Sequence, residues 1–212
     1  MGPKAYHINL TTTGNFNIPG MPVNQYMLIV KPSENLLERT KRIQTKWAET
    51  EGLQNRQLQS GYLLLARFSQ FNAQEERLLR ILHYAAMETA PYRINIEGFF
   101  GLPEHSIGLK ISNPAPVKVI NRSIQSYLKG LKLPGERPYF NQYPAIGMAT
   151  KLEAGQYRAI WNSYGSRHFS AFFIAGHFLV LRKRAQDKGW SILERFGFEN
   201  IPVQSKQGVL FA

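Results

Sequence analysis

One tripeptide in the chain, His168-Phe169-Ser170, sets an imidazole two residues ahead of a hydroxyl. Residues i and i+2 share a face of a β-strand, so such a pair aims a proton carrier and a hydrogen-bond donor at one phosphate. A three-residue match is cheap, however, and Phe173 and Ile174 continue the segment as packing positions, so a structural role for His168 is the stronger reading. The other histidines offer less. His83 lies in a helical pattern near its apolar stripe, and His7, His105 and His177 have no neighbour at metal-ligand or triad spacing. The chain has no cysteine, which removes disulfides, thiolate metal sites and a cysteine nucleophile. It also lacks a zinc pattern, a P-loop and a dinucleotide-binding glycine motif. No metal and no cofactor are expected.

The chain does carry charge. Its formal net charge is +12, and residues 1 to 106 hold 11 Lys/Arg against 9 Asp/Glu where residues 107 to 192 hold 13 against 3. A clustered basic surface focuses potential and gains from counterion release when it meets phosphates. RNA or a phosphorylated small molecule is the partner class this suggests, with a merely solubilising surface or a protein partner as alternatives. The run LVLRKRAQDKGW places Arg182, Lys183, Arg184 and Lys188 around a turn, a candidate phosphate-contacting edge. Tyr157, Trp161, Tyr164 and Trp190 interleave with charges nearby, which suits single-stranded nucleic acid and equally suits a core. No stretch reaches the roughly 18 to 20 apolar residues of a membrane span, and MGPKAYHINL lacks a signal-peptide pattern. A cytoplasmic protein without a membrane partner is expected.

Strands and helices alternate along the chain. After an irregular Gly/Thr/Asn/Pro-rich arm over 1–24, QYMLIVK (25–31) reads as a strand. A helix follows, capped at Ser33, with Leu36, Leu37, Thr40, Ile43 and Trp47 at helical spacing. GYLLLARF (61–68) reads as a buried strand leading to a helix near Asn72, where Glu75 completes a capping-box pattern. Strands at 92–100 and 106–111, a helix over about 116–131 and a Pro/Gly-rich connection (133–144) lead to a second apolar strand, PAIGMATKL (144–152). A fourth helix, LEAGQYRAIWNSYG, precedes three strands: HFSAFFIA, HFLVLRKR and WSILERFGF. The two motif strands hold comparable places in the two halves. A single domain over 1–212 with two similar, interleaved lobes is the expected organisation.

This order of elements resembles the 2H phosphoesterase superfamily, which contains 2′-5′ RNA ligase-like proteins and cyclic phosphodiesterases. The resemblance spans nearly the whole chain, and it implies an α+β fold: two pseudo-symmetric lobes of antiparallel sheet with packed helices around a central cleft. The family mark is a pair of H-x-[ST] motifs, one per lobe. Here Tyr62 stands at the first histidine position and Leu64 at the first hydroxyl position, and Ala145 and Gly147 stand at the second pair. The C-terminal features KLEAGQY, Trp161 with Tyr164, His168-Phe169 and LVLRK also look like the relatives' second lobe.

Two imidazoles with ordinary pKa values near 6.5 can accept and donate protons across such a cleft. Leu64, Ala145 and Gly147 cannot move a proton, and Tyr62, with a reference pKa near 10, is a poor base at neutral pH. The expectation is therefore a degenerate site with no catalytic residue, a pseudoenzyme binding RNA, a nucleotide or another phosphorylated ligand through a basic cleft. Ligand-binding candidates are Tyr62, Arg67, Lys151, Arg182, Arg184 and Lys188. Strand parity favours Lys151, which shares the phase of Ala145 and Gly147, over Arg67, which opposes Tyr62 on a regular strand. The bare residues at 145 and 147 should also leave one side of the cleft open. The alternatives are an active RNA ligase or phosphodiesterase using substitute groups such as Tyr62, Lys151 or His168, and a protein-interaction scaffold.

Overall fold

The computed structural model describes residues 21–201. Nine strands and four helices follow one another as β1 (Val23–Val30), α1 (Glu34–Glu51), β2 (Leu63–Phe71), α2 (Glu75–Met87), β3 (Tyr92–Leu102), β4 (Ser106–Ile111), α3 (Ala115–Leu128), β5 (Tyr139–Phe140), β6 (Ala145–Thr150), α4 (Ala154–Tyr164), β7 (Ser170–Ala175), β8 (His177–Lys183) and β9 (Ser191–Gly197). All strand pairs are antiparallel, in the order β7-β3-β4-β6-β2-β1-β8-β9, with β5 beside β2. The two motif strands, β2 and β6, are neighbours at the middle of this sheet, where Leu63 pairs with Ile146.

All four helices pack on one face. Leu36 and Trp47 of α1, Leu78 and Leu82 of α2, Ile120 and Ile124 of α3, and Ile160 of α4 share one core with Leu28, Leu63, Leu65, Ile94, Leu109, Ile146, Met148 and Val180 from the strands. Alternate strand residues turn the other way, and Met27, Ile29 and Leu179 form a separate small cluster there with Tyr62, Leu64, Leu181 and Trp190. Ser33 holds the N-cap position of α1 but makes no side-chain cap bond, whereas two other helix ends are closed locally. Gly52 ends α1 in the left-handed conformation (φ +64°) that glycine adopts without a Cβ penalty. Glu153 and Gln156 form a reciprocal capping box at α4, and Gln156 Nε2 also donates to Glu51 O, which ties that end of α1 to α4.

Three local expectations change. The box at Asn72 and Glu75 does not form: Asn72–Gln74 is a single 3₁₀ turn, Asn72 Oδ1 accepts from Asn24, and Glu75 takes Tyr26 Oη and Arg182 Nη1. The connection over 133–144 contains the short strand β5. The arm falls almost wholly outside the described residues, and its last two positions, Val23 and Asn24, belong to β1.

The two halves obey an internal two-fold relation that can be read bond by bond. Each motif strand has a bulge: Leu65 is the extra residue between the pairs Ile29–Leu64 and Leu28–Ala66, and Met148 is the extra residue between Gly108–Gly147 and Ile107–Ala149. Phe140 pairs with Ala66 as Leu58 pairs with Ala149. Asn141 N–H donates to Leu65 O (2.9 Å) as Gln59 N–H donates to Met148 O (2.9 Å). A buried amide on a helix secures each connection: Asn121 Nδ2 donates to Asn141 O (2.9 Å), and Gln44 Nε2 donates to Gln59 O (2.8 Å). Tyr62, Leu64 and Arg67 therefore correspond to Ala145, Gly147 and Thr150.

Candidate functional site

The bulges decide which side chains meet at the centre of the helix-free face. Leu65 and Ala66 are both buried in the main core, so the alternation resets and Arg67 lands on the same face as Tyr62 and Leu64. Its guanidinium lies 5.5 Å from the Trp190 ring centroid and donates to Gln25 Oε1 (3.3 Å), both on that face. The same reset on β6 follows Met148 and Ala149, so Thr150, paired with Ser106, takes the phase of Ala145 and Gly147. Lys151 lies beyond the end of β6, exposed and in a left-handed conformation (φ +54°). The parity ranking of the two cations is thus reversed, because it assumed regular strands.

Tyr62 is half-buried, and its hydroxyl reaches Met27 Sδ at 3.8 Å. Burial raises its pKa, and the nearby Arg67 guanidinium opposes that rise without cancelling it. The phenol is a proton-bearing donor at neutral pH and not a base. Extending the Leu63–Ile146 pairing sets Leu64 opposite Ala145 and Tyr62 opposite Gly147. The opening expected at Gly147 is occupied: a Cβ built there would touch the Gln59 side chain at 3.4 Å. Beside Ala145 the space is real, a shallow cavity of about 180 Å³ reaching Lys110 and Tyr143.

Of the other candidates, Arg182 is on the wrong face. It sits beside Tyr26 on the helix side, with Nη1 2.7 Å from Glu75 Oε1 and both side chains mostly buried. Arg184 and Lys188 are exposed in the β8–β9 turn, where Asp187 Oδ2 accepts from Arg184 N–H. Lys183, by its pairing with Gln25, joins the helix-free face. Tyr157 and Tyr164 are core residues of α4, and Trp161 stacks on Tyr157 at 6.0 Å, which leaves only Trp190 of that aromatic set near the motif residues. His168 is exposed just before β7, the edge strand three places from β6, or roughly 14 Å at about 4.8 Å per strand. No described histidine lies on β2 or β6.

Sequence reasoning missed Thr150, Lys110 and Gln59. The unbroken apolar runs YLLLA and AIGMA give no signal of the bulges, which only the strand pairing reveals. By strand pairing the helix-free face carries Arg67, Arg93, Lys110, Lys183 and Arg195 against Glu97. Of the 13 Lys/Arg in residues 107–192, strand pairing sets Lys110 and Lys183 on this face. Among the described residues, no group of three or more His, Asp or Glu side chains is placed to hold a metal ion, and no helix is long and apolar enough to cross a membrane.

No protein-family model and no curated protein matches the chain. Solved structures do. Escherichia coli LigT complexed with 3′-AMP superimposes with a TM-score of 0.60 at 11% identity, covering 83% of this chain and 98% of LigT. TT0787 of Thermus thermophilus gives 0.60 at 17% identity, covering 82% and 98%. A structure described as a phosphoesterase gives 0.53 at 9%, covering 82% and 98%. With the motif strands paired at the centre of one curled antiparallel sheet and four helices behind it, the chain has the α+β fold of the LigT-like 2H phosphoesterases.

Proposed function

We propose that the chain is a catalytically degenerate protein of the 2′-5′ RNA ligase and cyclic phosphodiesterase type. It binds RNA, a nucleotide or another phosphorylated ligand on the basic helix-free face around the motif strands. One observation carries this reading: the four residues meeting at the centre of the sheet are Tyr62, Leu64, Ala145 and Gly147, and none exchanges a proton near pH 7. Each absent general acid or base forfeits roughly 10² to 10⁴ in rate. Arg67, Lys110 and Lys183 supply charge on the same face, and Tyr62 supplies a hydroxyl donor. LigT has been crystallised with phosphate, ATP and NADP+, ligands that have phosphate in common.

The test is fluorescence anisotropy with a short labelled single-stranded RNA ending in a 2′,3′-cyclic phosphate, titrated at several salt concentrations, with the end inspected afterwards. Affinity that falls as salt rises, with an intact end, is the expected result, because phosphate contacts release counterions. A cleaved or opened end would mean that substitute groups perform the chemistry. Absence of binding at low salt would move the function to a protein partner.

A further inference from the structure

The two ends of the sheet are finished differently. At one end, β9 has a bulge at Leu193 beside the charged Glu194 and Arg195, devices that keep an edge strand from pairing again. At the other end, β7 reads SAFFIA: it has no charge, no proline and an unbroken register with β3. The phase of that register follows from Gly98 N–H, which donates to Phe169 O (2.7 Å). Alternate residues of an antiparallel strand bond the same neighbour. Ala171, Phe173 and Ala175 therefore turn their backbone groups to β3, and Ser170, Phe172 and Ile174 turn theirs outward. Both ends of this outward row are occupied. The Arg39 guanidinium donates to Ser170 O (3.3 Å), and Gly176 O accepts from Phe198 N–H (2.8 Å). Between them, the N–H and C=O of Phe172 and of Ile174 have no partner among the described residues. The side chains of the same two residues stand on the helix-free face, 56% and 59% exposed, with the Arg93 guanidinium 3.8 Å from the Phe172 ring centroid.

We infer that the chain pairs with a second copy of itself through β7, in an antiparallel two-fold contact that sets Phe172 of each copy opposite Ile174 of the other. The inference goes beyond the phosphate-binding reading and does not depend on it. Its warrant is self-complementarity. A two-fold axis beside Phe173 brings the two outward donors and two outward acceptors of one copy onto the same set of the other, which makes four backbone hydrogen bonds. A register centred on Phe172 would instead need Ser170 O, which Arg39 already holds. Phe172 against Ile174 is an aromatic and β-branched cross-strand pair, one of the favourable kinds. Cross-strand partners point to the same face, so both helix-free faces lie on one side of the joined sheet and the dimer presents two basic faces side by side. Two features make the contact reversible. A six-residue strand falls short of the roughly 20 to 30 residues a side of a standard interface. Each chain also has a net charge of +12, which opposes association, although the meeting strands are themselves uncharged.

The experiment is sedimentation equilibrium of the full, nuclease-treated chain over a concentration series up to about 0.5 mM, at low and high salt. The mass should rise from one chain towards two, and more readily at high salt, because screening relieves the repulsion. RNA binding responds to salt in the opposite sense. Phe172→Lys should weaken association at least about tenfold by setting a charge on the edge. Ile174→Pro should also weaken it, by removing one outward N–H while leaving every backbone bond to β3 in place. Circular dichroism melts check the fold of both variants. The chain has no native cysteine, so single Phe172→Cys and Ile174→Cys variants test the register. Oxidising their mixture should crosslink two chains and oxidising either alone should not, because only the mixed positions stand opposite at about 5.5 Å. A single-chain mass at every concentration and salt would overturn the proposal, whether the edge is then open or covered by residues of the same chain. A dimer that survives both edge variants would overturn it as well, by placing the contact elsewhere. Self-crosslinking of Phe172→Cys alone would overturn the register.

Discussion

Across the internal two-fold axis, β2 presents Tyr62, Leu64 and Arg67, and β6 presents Ala145, Gly147 and Thr150. Both strands have the same bulge, the same supporting connection and the same buried helix amide behind it. The surroundings diverge. The β2 side is filled by an apolar cluster of Met27, Ile29, Leu179, Leu181 and Trp190. The β6 side is stripped to small residues, with Gln59 beside Gly147 and a cavity beside Ala145. On the proposed reading, this frame is one that could aim two side chains at one phosphate, and here it carries no proton carrier at those positions. A scaffold held by backbone pairing and buried amides does not depend on the side chains that face the cleft, so the two can change separately.

The largest effect should come from refilling the motif. Tyr62→His, Leu64→Thr, Ala145→His and Gly147→Thr combined should open a 2′,3′-cyclic phosphate at least about 10² times faster than the wild-type chain, since each general acid or base contributes roughly 10² to 10⁴. Gln59 must turn aside for the threonine, because a Cβ at 147 already meets its side chain at 3.4 Å. Chromatography of the RNA products reads the outcome. A folded but inactive quadruple variant would break the claim that the frame is intact.

The supports are the next comparison. Gln44 Nε2 donates to two carbonyls, Gln59 O and Met148 O, whereas Asn121 Nδ2 donates to Asn141 O alone. A buried group left unpaired costs about 1 to 3 kcal/mol. Gln44→Ala should therefore destabilise the chain roughly twice as much as Asn121→Ala in urea unfolding. Equal losses would mean that the second carbonyl on Gln44 adds nothing to its support.

How much of this was legible depends on what each residue reports. Alternating and helical spacing revealed the strands and helices, because Leu63, Leu65, Ile146 and Met148 point to one core and burial leaves its period in the sequence. The order of those elements carried the fold. Side-chain placement on the face is less legible, since a single bulged residue reverses parity: a regular strand would favour Lys151 over Arg67, and the bulges at Leu65 and Met148 remove that regularity. Arg182 looked like part of a basic turn because its partner, Glu75, is 107 residues away in sequence.

Those two arginines give a sharper test of faces. Arg67→Gln should weaken RNA binding about tenfold and reduce the slope of log affinity against log salt by about 1. Arg182→Gln should leave that slope unchanged and lower stability by about 1 to 3 kcal/mol, because Glu75 loses a charged hydrogen-bond partner. Anisotropy and urea unfolding on both variants separate the roles. A reduced salt slope in Arg182→Gln would place the ligand on the other side of the sheet.

The smallest effect concerns His177 on β8. Burial lowers its pKa, and Arg195, with Nη2 3.4 Å from Nδ1, adds to the fall. A depressed folded-state pKa means that the unfolded chain binds the proton first. Stability is then fullest above the unfolded value near 6.5 and declines as pH falls towards the folded value. His177→Asn should flatten that part of the stability profile, read as melting temperature between pH 5 and 7.5, with little change at pH 7.5. An unchanged slope would remove His177 from the pH response.

The most direct test of the central claim is the fate of a 2′,3′-cyclic phosphate RNA incubated at low salt with a stoichiometric amount of the wild-type chain and then weighed by mass spectrometry. The account predicts bound RNA with its cyclic end intact, beside an opened end in the refilled quadruple variant. An opened end with the wild-type chain, gaining the mass of one water, would contradict it.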